Sequence, residues 1–566
     1  MKKPILSEMT LKEKIGQLIL PNQWEIYQDH TKNYEVNRTE EQWRQVIAEY
    51  QFGTYWADQI GSCNKFTVDL AGGGLDQKVR SAEYRKFLAR QNQCGKIPAL
   101  FSTDSEYGAF YFIEDLSTVC PPMAVTATDS EELAFQLGVC VARELRSTGI
   151  NWRWAPVVDI ANHQHICYYR SFSPDFPDKM IQMANANIRG MQSEGVAGTA
   201  KHFPGMDRYD YRDQHFSHGI ISSSMDEWWA EQGKIFQSVI DNGVYSIMIG
   251  HTAFPAWDDS VIKGEYRPAT VSKRIITDLL KGEMGFDGVV ISDSVAMAGI
   301  TSFYDTYEEE IVDLVNAGND VLLGVRLPAC DIVEQAVKDG RIPESRIDDA
   351  CQRVLNMKEK LGMFEDGYWD LPYTLGEAVA ETQKLNLEIA RRSITKVHDR
   401  QGLLPMDSSK VKNVTIICST HTDRFFDELQ YMKKCFEDRG IHVRLQRRLS
   451  GHFEMVEIAE SSDLIIYAAY VAPHMPKGGM TLFGDECNTY LYAFSQGNEK
   501  SIGASFGYPL LHFFPMGGAN TFINAYGESP ESMQAFVEAI FGEIPIEGKS
   551  PVKLYPDHII AGPSAD

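Results

Sequence analysis

The chain has little that would point to a metal, a membrane or a nucleic acid. Its ten cysteines, at positions 63, 94, 120, 140, 167, 330, 351, 418, 435 and 487, form no CxxC pair and no Cys/His ligand spacing. That removes the usual zinc and dithiol motifs, and no metal or cofactor is expected. No stretch approaches the roughly 18 apolar residues of a membrane span. Basic charge is scarce: 54 Lys and Arg stand against 78 Asp and Glu, for a formal net charge of -24. A surface of that sign offers no footprint for nucleic acid or an anionic membrane. The N-terminus, MKKPILSEMTLKEKIGQLIL, lacks a continuous apolar core and is broken at once by Pro4 and charged residues, so it does not read as an export leader. With scattered single cysteines, this predicts reduced thiols and a cytoplasmic protein. A dinucleotide site is not expected either. Gly72-Gly73-Gly74 follows no strand-like run, and the second half of the chain has no GxGxxG.

What remains is a globular chain of 566 residues, 43% hydrophobic and 23% charged, long enough for two or three cores. Eight short apolar runs read as strands: 17–20, 52–56, 99–103, 151–158, 197–202, 244–250, 288–292 and 320–324. Helical patterns at 131–147, 177–194, 226–242 and 273–283 alternate with them, which predicts a parallel sheet and a (β/α)8 TIM-like barrel. A charged amphipathic helix at 346–361 ends this unit. From about residue 410 a second α/β pattern begins, with strands at 413–418, 442–445, 463–467 and 501–506 and a helix at 425–439. The expected organisation is a barrel domain over 1–365, a linker over 366–409 carrying Gly367, Pro372 and Gly376, and a C-terminal α/β sandwich of open-sheet type over 410–566, with an extended tail from Glu547.

Barrel sites gather at the C-terminal ends of the strands. The polar residues found there are Asp104, Asp159 with Arg170 after it, Lys201-His202, Met248 with His251, and Asp293. Each has a plain alternative: Asp104 and Asp293 could cap helices, His202 could be a satisfied core histidine, and Asp159 could close a loop. The convergence of the set is the signal. Asp293 ends Gly-Val-Val-Ile-Ser-Asp, and a carboxylate so placed suits attack on, or stabilisation of, a glycosyl cation. Helix capping is an equal reading on composition alone. After Lys201-His202-Phe203-Pro204-Gly205, the stretch 206–218 carries Asp207, Asp210, Asp213, His215 and His218. Asp213 and His215 could pair, fixing the imidazole tautomer and raising its proton affinity. From residue types alone, a solvated charged loop is the favoured reading.

Taken in order, the motifs resemble glycoside hydrolase family 3, most closely its NagZ-like β-N-acetylglucosaminidase branch. They include Met9-Thr10-Leu11-Lys12-Glu13-Lys14-Ile15-Gly16-Gln17, Ala155-Pro156-Val157-Val158-Asp159, Arg170-Ser171-Phe172, Lys201-His202-Phe203-Pro204-Gly205, Met248-Ile249-Gly250-His251, Gly288 to Asp293, and Arg353-Val354-Leu355 with Lys358. The resemblance implies a retaining, exo-acting β-glycosidase with Asp293 as nucleophile and His215 with Asp213 as acid/base dyad. It implies sugar-binding roles for Asp104, Arg170, Lys201, His202 and Met248. Two departures stand out. The branch's Asp-x-Glu-Gly-Gly, followed by an arginine, is here Asp104-Ser105-Glu106-Tyr107-Gly108 with Phe112 at the arginine's position, and the Asp-x-His comes one residue late. Alternatives are a β-glucosidase-like enzyme using Glu486 as its acid, a glycoside phosphorylase, and a non-catalytic carbohydrate-binding protein. A small carbohydrate or glycoside is the expected partner, and a homo-oligomer is allowed.

Overall fold

The computed structural model describes residues 2–28, 38–58, 80–471, 473 and 479–555. Cys63 and Gly72-Gly73-Gly74 lie outside them. Each of the eight apolar runs holds a strand: β1 (Ile19–Pro21), β2 (Thr54–Trp56), β3 (Leu100–Thr103), β4 (Trp152–Arg153), β5 (Ala197–Phe203), β6 (Ser246–Ile249), β7 (Val289–Ser292) and β8 (Leu322–Val325). From β2 to β7 they bond in chain order as one parallel sheet, while β1 pairs with β8. Ile291 of β7 bridges Val321 before β8, and the Gly53 amide donates to the Gly16 carbonyl at 2.7 Å beside β1.

The strands are short, yet their side chains divide cleanly in two, as a period of two requires. Leu20, Trp56, Leu100, Trp152, Ala197, Met248, Ile291 and Leu323, one from each strand, form a single buried cluster. Their sequence neighbours Ile19, Tyr55, Phe101, Ile247, Val290 and Leu322 pack instead into the larger core shared with the helices. Bulky rings fill the inner cluster, where Trp56 and Trp154 meet edge to face at 5.4 Å. The curled sheet is therefore packed solid inside, and its polar strand ends sit above that packing.

Helices cover the other face. Between α1 (Leu11–Leu18), α2 (Glu131–Thr148) and α3 (Pro177–Ser193), the closest packing is of α2 on α3, where a Cβ on Gly190 would meet the Phe135 carbonyl at 2.1 Å. The ring of helices ends at α4 (Glu344–Lys360). Its Lys358 is fully buried and donates at 2.6 Å to Gln17 Oε1 of α1, whose amide donates in turn to the Gln51 carbonyl.

The span 366–409, expected to be a linker, is largely ordered structure. It contains α5 (Leu375–Ser393) and β9 (Thr395–Asp399). The helix starts on a capping box between Thr374 and Glu377 and buries Ala378, Leu385, Ile389 and Ala390 on one face. Gly376 sits in its first turn, where a glycine costs little. Asn386 of α5 donates to the Thr118 carbonyl at 2.6 Å and accepts the Cys120 amide at 3.1 Å, tying the helix to the first sheet's loops.

The second sheet adds β10 (Asn413–Thr420), β11 (His442–Arg447), β12 (Leu464–Tyr470), β13 (Ser501–Ser505) and β14 (Thr521–Asn524), in the order β9-β14-β13-β12-β10-β11. All its neighbours are parallel except β9 against β14. Its central strands are buried on both faces, hence continuous runs such as Leu464–Ala469. Flanking helices are α6 (Asp423–Glu437) and α7 (Pro530–Ile540), the latter held to α5 by the paired Arg391–Glu538 bonds at 2.7 and 2.8 Å. The tail from Glu547 forms no helix or strand as far as Tyr555, and it lies against the body through Gly548 and Lys549 amides. Among the described residues no helix is long and apolar enough to cross a membrane, and none of the cysteines is in a disulfide.

Lys358 generates a pH prediction. Burial pushes its ammonium down from the ordinary value near 10.5 to about 7. The unfolded chain holds that proton up to its ordinary pKa, whereas the folded chain releases it near 7. Lys358 therefore contributes a stability that increases as pH rises across that window, by on the order of several kcal/mol in total. Lys358→Met removes this dependence. Melting curves at successive pH values should show the Tm difference, variant minus natural protein, falling steadily from pH 7 to 10; a difference independent of pH would contradict the account.

Candidate active site

A cavity of about 570 Å³ opens above the inner cluster, and Trp56, Met248 and Leu323 of that cluster line it. The sequence-identified residues Asp104, Arg170, Lys201, His202, His215, Met248 and Asp293 all line it as well. Asp213 does not, but it lies directly behind His215.

Asp293 follows β7 and is 5% exposed. Its amide donates to the Ile249 carbonyl of β6 at 2.8 Å, which fixes the turn out of the strand. One carboxylate oxygen accepts the Ser294 amide at 2.7 Å, and the other accepts Gln214 Nε2 at 2.6 Å and faces His202 Nε2 at 3.8 Å. Burial opposes the charge, but the surrounding histidines His202, His251 and His215 and the Ser294 amide outweigh it and hold the carboxyl below its usual value. Burial pushes the His251 imidazole down from its ordinary value. Helix capping, the other reading of Asp293, is not what the carboxylate does. The next helix starts only at Ala298, and its N-cap position is Met297.

Lys201 and His202 are consecutive yet both reach the cavity, where a regular strand would send them to opposite faces. The β5–β6 register shifts between Lys201 and Phe203, and that irregularity re-aims them. His202 Nδ1 bonds Asp159 Oδ2 at 2.7 Å, while its amide donates to Asp159 Oδ1 at 3.0 Å, leaving Nε2 toward Asp293. Asp159 thus orients a cavity histidine from behind. Among the described residues, Asp159, Cys167 and His202 are the one group whose ligand atoms come close enough to share a metal ion, but His202 Nδ1 is already engaged with Asp159.

On the opposite wall, Glu106 takes two bonds from Arg170, at 2.8 and 2.6 Å, and lies 2.7 Å from Lys201 Nζ. Lys201 also donates to Asp104 at 2.9 Å. Burial would raise the Glu106 carboxyl, but the two cations hold it well below the carboxylate range. Ser105 between the two acids adopts φ +33°, in the left-handed region, and this bend lets Asp104 and Glu106 turn to the same lysine. Buried Arg153 pins the bend, donating to the Ser105 and Glu106 carbonyls at 3.0 and 2.8 Å. Phe112, at the arginine position of the branch, is fully buried against Tyr84 and Tyr111 and does not line the cavity. Tyr111 lines it instead, and its hydroxyl donates to Asp58 at 2.5 Å.

The loop after β5 is not the solvated stretch that residue types favour. Asp207 accepts the Tyr209, Asp210 and Ser222 amides, and Asp210 holds Arg212 and the Ile220 amide. These acids build the loop rather than the cavity. Asp213 is 7% exposed; it accepts His215 Nδ1 at 2.6 Å and the His215 amide at 3.0 Å. Burial works against the Asp213 charge, and the bonds from His215 more than offset it. With Nδ1 committed, His215 presents Nε2 on the cavity side. Gln214 between them links the loop to Asp293 and accepts the His251 amide at 2.8 Å.

Sequence reasoning missed Gln214, whose meaning lies only in its partner 79 positions away, and the contribution of the second sheet. Thr422, Arg424, Tyr470 and Glu528 complete the cavity. Glu486 does not line it; it sits on the helix Gly484–Tyr492, 3.9 Å from His421 and from Arg448.

A β-N-acetylglucosaminidase/β-glucosidase of Cellulomonas fimi is 27% identical over 513 residues, 86% of this chain and 88% of its own length. Among solved structures, a β-glucoside phosphorylase, BglX, superposes with a TM-score of 0.80 at 28% identity, covering 97% of this chain and 94% of its own. A family 3 β-N-acetylglucosaminidase from Paenibacillus sp. str. FPU-7 does so with a TM-score of 0.76 at 25% identity, covering 96% and 99%. The glycosyl hydrolase family 3 N-terminal domain matches residues 10–357, the stretch that carries strands β1 to β8 and every strand end described above, and on that match the chain belongs to glycosyl hydrolase family 3.

Proposed function

We propose that the protein is a retaining β-glycosidase that removes a terminal β-linked sugar by double displacement, N-acetylglucosamine being the first glycone to test. In this reading the first unit, residues 1–365, acts as a (β/α)8 barrel and residues 410–566 as an α/β sandwich beside it. Asp293 attacks the anomeric carbon as the glycosidic bond breaks, giving a covalent glycosyl-enzyme, while His215 delivers its Nε2 proton to the leaving oxygen. Water, deprotonated by His215, then attacks the same carbon and releases the sugar with retained configuration and Asp293 as carboxylate. Asp213 fixes the imidazole tautomer. Lys201, Asp104 and Arg170 offer charged hydrogen-bonding groups to the glycone hydroxyls.

The observation that carries this reading is the joint one: Asp293 and His215 line one cavity, and Gln214 between Asp213 and His215 bonds the Asp293 carboxylate directly. The Cellulomonas relative's name supports both N-acetylglucosamine and glucose as glycones. Glu486 as acid loses support because it lies away from the cavity. Phosphorolysis is the second reading, favoured by the likeness to a β-glucoside phosphorylase and by a histidine acid, which repels an incoming phosphate less than a carboxylate does.

Aryl β-glycosides with and without a 2-acetamido group, assayed in phosphate and in phosphate-free buffer, settle the glycone and the acceptor. A sugar 1-phosphate product marks phosphorolysis, and free sugar of retained configuration marks hydrolysis. Asp293→Asn should lower turnover roughly a thousandfold or more on good and poor leaving groups alike. His215→Ala should cost little in kcat/KM on a dinitrophenyl glycoside and roughly 10² to 10⁴-fold in kcat/KM on an alkyl glycoside, which needs the proton; equal loss of kcat/KM on both would remove His215 as the acid. Gln214→Met takes a donor from the charged form of Asp293, so the acid limb of the kcat/KM profile should move up by about one pH unit. An unmoved limb would mean that Gln214 only shapes the loop.

A further inference from the structure

A second cavity, of about 360 Å³, opens beside the ends of β1 and β8. Trp24 and Glu25 line it from the stretch after β1, Arg326 from the residue after β8, and Tyr307 and Glu310 from the helix Tyr307–Ala317. Its wall toward the reaction cavity is the segment that follows Asp293: Ser294 lines the first cavity, Val295 the second and Ala296 both. The Val295 amide donates to the Leu323 carbonyl at 3.0 Å. A Cβ on Gly324, whose φ is +76°, would meet Ser294 Oγ at 3.1 Å and Asn22 Oδ1 at 3.5 Å, so the wall is tightly packed there. None of the groups lining the second cavity has a part in the displacement proposed above.

Glu310 is its unusual member. The residue is 4% exposed, and its Oε1 is sealed from solvent and meets no hydrogen-bond donor. Burial pushes the carboxyl up to about 7, opposed only by the through-space attraction of Arg326. Arg326 itself is exposed and held in place: its guanidinium lies over the Tyr307 ring, 4.1 Å from the centre, and its amide donates to the Tyr307 hydroxyl at 2.9 Å. The cavity therefore has a sheltered carboxyl, an open guanidinium, and aromatic and aliphatic surface from Trp24 and Val295.

Ligand classes differ in how they meet these two ends. An anion answers Arg326 but faces the carboxylates of Glu25 and Glu310. A bare cation answers Glu310 but is repelled by Arg326. A neutral hydroxylic molecule reaches both ends, yet brings no counter-charge to a carboxylate that burial makes costly to ionise. A zwitterion brings an ammonium to one end and a carboxylate to the other, both as charge-assisted bonds. An apolar substituent on it would find Trp24 and Val295, and the volume is ordinary for a small-molecule site.

We propose that the second cavity binds a small zwitterion, an amino acid with an apolar side chain, its ammonium on Glu310 and its carboxylate on Arg326. This site does not depend on the reading of Asp293 as the reacting carboxylate, and binding alone decides it.

The test is isothermal titration calorimetry of the natural protein, Glu310→Gln and Arg326→Gln with L-alanine, L-leucine and L-phenylalanine. Isoamylamine and isocaproate, which are leucine without its carboxylate and without its ammonium, serve as single-charge analogues, and glucose as the neutral one. At least one amino acid should bind the natural protein, and for leucine each analogue should bind about tenfold more weakly or worse. Each variant should weaken the amino acid by about tenfold or more. Melting curves confirm folding, and because Arg326 is exposed its variant remains a test even where Glu310→Gln does not fold. Heat from none of the three amino acids overturns the proposal, as does an affinity unchanged in Arg326→Gln or matched by either single-charge analogue. Glucose binding that is lost in Arg326→Gln, with no amino acid bound, would mark a hydroxylic ligand and overturn it equally.

Discussion

Glu106 is a sheltered carboxylate shared by two cations, the buried Lys201 and the partly buried Arg170, and the cavity depends on it. Arg170 and Lys201 arrive from different parts of the chain, and neither could stay charged at that depth without an acceptor. Removing one partner from such a cluster typically costs about 3–5 kcal/mol, because the remaining charges are stranded. The arrangement also sets direction. Once Glu106 holds Arg170 in a two-bond grip, the Lys201 ammonium is aimed at Asp104, the most exposed member of the group at 41%. The electrostatics therefore run outward from a saturated buried core to one accessible carboxylate. The left-handed Ser105 and the Arg153 bonds to the neighbouring carbonyls exist to hold that geometry.

The first sheet was legible in the sequence because its strands fall in short apolar runs, several of them followed by a polar residue. The period-two split of side chains between the inner cluster and the helix-facing core follows from the same pattern. Strand ends were less legible, and the expected 151–158 run keeps strand geometry only at Trp152–Arg153. The connector was misread because Gly367, Pro372 and Gly376 advertise a break, whereas the capping box at Thr374 and Glu377 and the apolar spacing after it specify a helix. The strand Thr395–Asp399 was missed because an edge needs only one partner and carries little apolar signal, and Thr521–Asn524 because a strand of four residues is too short to show a period. Glu486 and Glu528 are indistinguishable as sequence; only the fold places one in the cavity and the other beside His421.

Residue pairs were legible where they are close in sequence and not otherwise. Asp213 and His215 could be proposed as a pair from spacing, but a solvated loop was the more economical reading. Its three acids look alike, and only folding shows that Asp207 and Asp210 bind loop amides while Asp213 takes the His215 ring nitrogen. Phe112 teaches the converse. It stands at the branch's arginine position, yet the ring turns into the core, and Tyr111 next to it enters the cavity.

The helix Leu375–Ser393 straddles the boundary between the two sheets, and Asn386 on it satisfies both Thr118 and Cys120, in a segment that also forms the cavity wall. The Tyr169 hydroxyl makes a second such tie, to the Tyr526 carbonyl next to Gly527 and Glu528. Swinging the two halves apart like jaws would strand these polar groups out of reach of their partners. The cavity thus has walls from both halves of the chain, and these hydrogen bonds fix the register in which the two walls face each other.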